Sequence, residues 1–169
     1  MIINFMKNIF SIILILSSII LINNNSIAQK VFHPAPSKEF VHELVSLLSV
    51  KEKDSLEKNL NKYEKASSNE IVIIIIKTLN GKSIEDYGLQ IFNNLGIGKK
   101  DKNNGVLLLI VKDDKELRIN TGKGIEAILT NEKCKRIIDH ILVPKFKEAK
   151  FYEGILAAVE NIKKILISN

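Results

Sequence analysis

Asp101, Asn104, Asp113, Asp114 and Glu126 are the side chains whose types and spacing could do chemistry together. Asp101 and Asn104 sit in a polar loop, 96–104, ahead of an apolar run. Asp113 and Asp114 fall in a tight turn after that run, and Glu126 follows Gly122 and Gly124. Carboxylates, an amide oxygen and main-chain carbonyls are the hard donors that suit Ca2+ or Mg2+. The competing reading is plainer, because Asp-Asp pairs form turns readily without any ligand. The loop at 96–104 enters the hairpin at the end opposite its turn. A flat hairpin would therefore hold Asp113 and Asp114 far from Asp101 and Glu126, and a curled one would not.

Other chemistries find no support. Gly96-Ile97-Gly98-Lys99 and Gly122-Lys123-Gly124 match neither a Walker loop nor a dinucleotide fingerprint. His33, His42 and His140 are scattered without metal-ligand spacing. There is no Gly-x-Ser-x-Gly elbow. Glu43 and Glu70 read as surface or cap residues, and no nucleophile–base pair can be named.

The elements that must position these residues follow from periodicity. Ser49-Val50-Lys51-Glu52 forms a capping box. It opens a helix over about 50–66 with Leu56, Leu60 and Tyr63 as its buried stripe. Ile71 to Ile76 is an unbroken β-branched run, the pattern of a central strand covered on both faces. Ser83 caps a second helix to about Leu95, burying Ile84, Tyr87, Ile91 and Phe92 or Leu95. Val106–Val111 and Leu117–Thr121 make a hairpin around Asp113-Asp114-Lys115. A short turn follows near Ile125–Leu129, and Thr130 caps a third helix that Pro144 ends near Leu142. A last helix, about Phe151 to Ile167, aligns Ile155, Val159, Ile162 and Leu166. The order α-β-α-β-β-α-α, with strands greasy on both faces, implies an α/β fold: a three-layer α/β/α sandwich with a small mixed sheet.

Composition places this domain outside the cytoplasm. Lys7 is the only charge before Lys30, and Ile9 to Ile22 is apolar apart from three serines. Ser26-Ile27-Ala28 supplies small residues at minus three and minus one of a cut after Ala28. The apolar run is short of the roughly 20 residues a membrane span needs, which favours a cleaved signal over the alternative, an uncleaved N-terminal anchor. Residues 1–28 are therefore expected to be a cleavable signal peptide, 29–48 an extended lead segment carrying Pro34 and Pro36, and 49–169 the domain. No transmembrane anchor is expected after cleavage. No cysteine follows the apolar stretch closely, which argues against a lipid anchor, and the single Cys134 permits no internal disulfide. Cys134 lies in a helical pattern and reads as a buried, inert thiol. The net charge of +6 is spread over mixed-sign helices, with no basic stripe interleaved with aromatics, so nucleic acid is not an expected partner.

Taken in order, several short motifs resemble the TPM domain family, named for a thylakoid-lumen protein, a photosystem repair factor and a receptor modulator. They are Ser68-Asn69-Glu70-Ile71-Val72, Leu95-Gly96-Ile97-Gly98-Lys99 and Asn104-Gly105-Val106-Leu107-Leu108-Leu109. Arg118-Ile119 with Gly122-x-Gly124-Ile125-Glu126, Leu129-Thr130, Pro144-Lys145-Phe146 and Tyr152-x-Gly154-Ile155 complete the set. The likeness runs over roughly Glu43 to Ile165. It implies an exported α/β/α domain, divalent-cation binding in some members and a weak acid phosphatase activity in plant members. Many bacterial members carry a transmembrane helix and a glycine-rich tail after the domain, features this sequence does not show before Asn169. Two positions depart from the family pattern. Asn103 stands where Asp is usual, removing a charge that a hard cation would want. Lys115 stands where Arg is frequent, removing a fork suited to phosphate.

Three functions follow as expectations. The first is a periplasmic or secreted binding module that assists a membrane or envelope protein and holds one Ca2+ or Mg2+ through Asp113, Asp114, Glu126, Asn104 and Asp101. The second is a metal-assisted acid phosphatase, in which Asp113 or Asp114 would hold the cation that polarises the phosphoryl oxygen. The third is a ligand-free structural interaction domain.

Overall fold

A run of β-branched and leucine side chains has no polar face to offer water, so it forms a strand only where both faces are covered. Two such runs form the centre of the sheet. The computed structural model describes residues 39–167. Its strands are β1 (Val41–Glu43), β2 (Glu70–Ile76), β3 (Gly105–Val111) and β4 (Glu116–Thr121), in the spatial order β1-β2-β3-β4. β1, β2 and β3 run parallel, and β4 returns antiparallel to β3. The register pairs Ile71 with Val106 and Ile76 with Val111, then Val106 with Thr121 and Val111 with Glu116. The expected α/β/α sandwich with a small mixed sheet is what the chain adopts.

Helix α1 (Val50–Ser67) starts at the Ser49–Glu52 capping box and buries Leu56, Leu60 and Tyr63. It packs with α5 (Phe151–Ile167) on the face made by Ile71, Ile73, Ile75, Val106, Leu108 and Ile110. α5 contributes Ile155, Val159, Ile162 and Leu166, the stripe expected of it. The opposite face carries Val72, Ile74, Ile76, Leu107, Leu109 and Val111, each at most 4% exposed. Helix α2 (Ile84–Leu95), capped by Ser83, packs on β3 and β4. At roughly 1.5–3 kcal/mol for each large side chain fully buried, these strand residues dominate the stability of the sheet.

Three details differ from expectation. β1 lies inside the lead segment and adds a strand before the first helix. Its main chain is held by Glu57 of α1, whose carboxylate accepts from Phe40 N at 3.0 Å and Val41 N at 2.8 Å. Second, Gly88 rather than Tyr87 lies in the buried stripe of α2. Arg118 and Asn120 of β4 lie beneath this helix, and a Cβ at Gly88 would meet Asn120 Oδ1 at 2.7 Å. A larger residue there would have to push the Asn120 side chain aside, and Tyr87 is half-buried at the flank of the helix. Third, Pro144 does not end the third helix. Helix α3 (Asn131–Ile137), capped by Thr130, runs into a π-helical turn at Ile138–Leu142 and then into short α4 (Val143–Lys147). Proline lacks an N–H and crowds the carbonyl four residues back. Widening the helix, with Val143 N bonded to Ile138 O, accommodates it instead.

The crossovers set the ends of the sheet apart. β1 to β2 and β2 to β3 each move one strand in the same direction. The first passes through α1 on one face and the second through α2 on the other. Two such steps have opposite hands, so one of them belongs to the left-handed kind found in only about 2% of cases. The chain therefore leaves neighbouring strands β1 and β2 toward opposite faces. The expected signal peptide and residues 29–38 of the lead segment lie outside the described residues.

Candidate functional site

β3 separates the five singled-out residues into two groups. Asp101, Asn104 and Glu126 belong to loops at its N-terminal end, and Asp113 and Asp114 to the turn at its C-terminal end. Six strand steps of about 3.3 Å put the two ends roughly 20 Å apart. A cation whose oxygens sit at about 2.3–2.6 Å cannot be shared across that distance. Among the described residues no three His, Cys, Asp or Glu side chains converge as a metal-binding group.

At the N-terminal end the motif residues form a latch. Asn104 is 4% exposed. Its Nδ2 donates to Ser68 O at 2.8 Å and to Asn69 Oδ1 at 3.0 Å, while its Oδ1 accepts from Lys99 N at 2.9 Å. Glu70 Oε2 accepts from Gly98 N at 3.0 Å. Lys99 pairs with Glu64, and that hydrogen bond raises the Lys99 pKa. The two glycines at 122 and 124 have a steric role. A Cβ on Gly124 would lie 1.8 Å from Lys102 O, and one on Gly122 would lie 2.2 Å from Asn103 O. The Gly-x-Gly segment thus threads past the 102–103 backbone, where Asn103 adopts a left-handed φ of 47° that asparagine tolerates. Asp101 and Glu126 are exposed on the rim of this latch.

At the C-terminal end Asp114 performs a similar task. Its carboxylate accepts from Thr78 Oγ1 at 2.8 Å and from Leu79 N at 2.8 Å, tying the β3–β4 turn to the β2–α2 loop. Asp113 is exposed. Lys112 Nζ donates to Ser46 O at 3.0 Å and ties the end of β3 to the β1–α1 loop. Beside this junction lies a cavity of about 490 Å³. Its apolar lining includes Leu47, Ile110, Leu117, Val143, Phe146 and Phe151, and Lys112, Lys115 and Lys147 also line it. Phe146 and Phe151 meet edge-to-face with ring centres 5.1 Å apart. A second cavity of about 490 Å³ lies among α3, the π turn and α5, with Lys133, Arg136, His140 and Lys164 in its lining.

Sequence reasoning missed the first cavity, because its lining comes from segments around 47, 110–117 and 143–151. The only local signal was Lys145-Phe146-Lys147 at the helix irregularity.

The two groups most able to act as nucleophile and base are kept apart. His42 pairs in register with Ile74, on the α2 face of the sheet. Cys134 belongs to the core on the opposite face. Burial pushes the Cys134 thiol up to about 11. Burial also lowers the His42 imidazole below its usual value, against the pull of Glu39 and Glu57.

The family model described as TPM domain matches residues 41–165. The N-terminal domain of a protein from P. gingivalis, solved by solution NMR, is 26% identical with a TM-score of 0.71, covering 78% of this chain and 84% of that one. The BA42 protein from the psychrophilic bacterium Bizionia argentinensis is 23% identical with a TM-score of 0.65, over 74% and 85% of the two chains. The N-terminal domain of the cg2496 protein from Corynebacterium glutamicum shares the fold at 11% identity, with a TM-score of 0.60 over 75% and 78%. No curated protein matches the sequence.

Proposed function

The chain belongs to the TPM domain family, and from that premise we propose that it is an exported binding module that assists a membrane or envelope protein rather than catalysing a reaction. The observation that carries this reading is how the polar motif residues are used. Asn104, Glu70 and Asp114 spend their side-chain hydrogen bonds on holding loops together. General acid–base or nucleophilic work needs a pair of groups within hydrogen-bond reach of one another. His42 and Cys134, on opposite faces, do not supply one.

Export rests on residues 1–28, whose basic start, apolar middle and Ser26-Ile27-Ala28 end fit a cleaved signal. Mass spectrometry of the chain recovered outside the cytoplasm should give Gln29 as the first residue. Recovery of the intact N-terminus would contradict that part of the reading.

The cation expectation narrows to the Asp113–Asp114 turn, where two of the five residues are adjacent. Thr78 and Leu79 already occupy Asp114. The affinity expected there is that of a weak extracellular site, about 0.1–1 mM or weaker. The phosphatase alternative would ask the same engaged carboxylate to hold the metal, with Lys115 in place of a bidentate fork, and no observation favours it.

A titration of Ca2+ and Mg2+ followed by amide NMR shifts tests the assignment. Small shifts confined to 113–115 and 78–79 are expected. Saturable shifts at 101–105 and 126 with micromolar affinity would show that the latch is itself a metal site, and would overturn the binding-module argument built on it.

A further inference from the structure

The cavity at the C-terminal edge of the sheet has a chemistry that specifies an occupant. We propose that it binds an apolar monocarboxylate of the fatty-acid type. The chain would lie against Leu117, Val143, Phe146 and Phe151, and the carboxylate would be met by Lys112, Lys115 and Lys147. This deepens the binding-module reading and rests on it.

Size and place come first. About 490 Å³ falls within the roughly 300–1,000 Å³ of small-molecule pockets. The cavity lies at the C-terminal end of β3 beside β4, with Leu47 of the β1–α1 loop, Val143 and Phe146 of α4 and Phe151 of α5 closing it.

Charge comes second. Many lysines of the described residues stand outside ion pairs, and three of them, Lys112, Lys115 and Lys147, converge on this one apolar lining. Lys112, Lys115 and Lys147 have no carboxylate within ion-pair distance among the described residues. Lys112 instead donates to the Ser46 carbonyl. Three uncompensated ammonium groups around an apolar wall attract an anion, and their long stems let the charged heads reach solvent-facing positions above it.

The lining favours a hydrocarbon chain over a peptide. The lining side chains offer aliphatic carbon, two phenyl rings and ammonium donors, and none is a hydrogen-bond acceptor. A peptide brought into this cavity would find no side-chain acceptor for its amide N–H groups and would depend on main-chain carbonyls of the edge strand β4. A hydrocarbon chain has no such groups, and its carboxylate is acceptor-only.

The test is an amide-resolved NMR titration of the full chain with monomeric decanoate, with decanol as the uncharged control. Saturable shifts are expected at Leu47, Val111, Leu117, Phe146 and Phe151, with decanol at least about tenfold weaker. Lys115→Gln and Lys147→Gln should each weaken decanoate about three- to tenfold, the effect of losing one partly exposed charged contact. Both substitutions are at surface side chains without ion pairs, so folding should be unaffected. Any of four results overturns the proposal: no saturable shift, shifts confined to residues 1–28 or to the Lys133–His140 cavity, decanol binding as tightly as decanoate, or variants that bind like the parent. A peptide with an apolar C-terminus binding more tightly than decanoate would also overturn it. Phosphomonoester turnover measured on the same sample separates the two claims. Absence of turnover leaves the binding-module reading standing if decanoate fails, and turnover sinks that reading whatever decanoate does.

Discussion

Replacing Asn104 by alanine separates a structural latch from a cation ligand. The substitution removes three side-chain hydrogen bonds, to Ser68 O, Asn69 Oδ1 and Lys99 N, at a position only 4% exposed. Each is worth about 1 kcal/mol net, and a buried group left without its partner costs about 1–3 kcal/mol. Lys99 and Ser68 are half-buried, so water can reach part of what is orphaned. The expected loss is therefore about 3 kcal/mol. In urea, with a slope of about 2 kcal/mol/M, the unfolding midpoint should fall by about 1.5 M in metal-free buffer, with the slope unchanged. Asn104→Asp should be at least as damaging at neutral pH. It keeps the acceptor for Lys99 but turns a carboxylate toward Ser68 O and Asn69 Oδ1. Protonation restores one donor, so this variant should recover stability as pH falls toward 4. A loss below about 1 kcal/mol for the alanine variant, together with an effect on cation binding alone, would refute the latch.

Other consequences follow from the same geometry. Gly124→Ala places a methyl group 1.8 Å from Lys102 O, and thermal unfolding should show a loss above about 3 kcal/mol or no folded protein. A thermal shift under 2 °C would mean the 102–103 loop yields freely. His42 is 8% exposed and its imidazole is lowered by burial. As pH falls, the unfolded chain protonates first, so stability is intact above about pH 6.5 and is lost below it. His42→Leu should flatten the dependence of the unfolding midpoint between pH 7 and 5, and an unchanged slope would contradict the assignment. Cys134 is 4% exposed, with its thiol at about 11. Iodoacetamide at pH 8 should modify it only at the rate of unfolding, and rapid labelling of the folded chain would place the thiol elsewhere.

Much of the fold was legible because its signals are local. The Ile71–Ile76 and Val106–Val111 runs could only be central strands, and the serines at 49 and 83 and Thr130 mark helix starts by their own side-chain chemistry. β1 was hidden because three residues are too few to show a period, and what holds them is Glu57, 16 or 17 positions away. The Tyr87-to-Gly88 shift depends on Asn120 of another strand. Pro144 obeyed its local rule, but a widened turn met the constraint without ending the helix. The candidate site was the least legible part. The motifs marked real positions, yet spacing could not tell that Asn104 and Asp114 hydrogen-bond to neighbouring loops. The three lysines and two phenylalanines of the cavity become neighbours only once the sheet edge is assembled.

The most direct test of the binding-module account is steady-state hydrolysis of a phosphomonoester panel by the purified chain, with Mg2+ or Ca2+ and without, over acid to neutral pH. The account predicts no turnover above buffer in any condition, for the parent and for Asp114→Asn alike. Turnover that needs the cation and disappears in Asp114→Asn would contradict it, and would make the β3–β4 turn an active site.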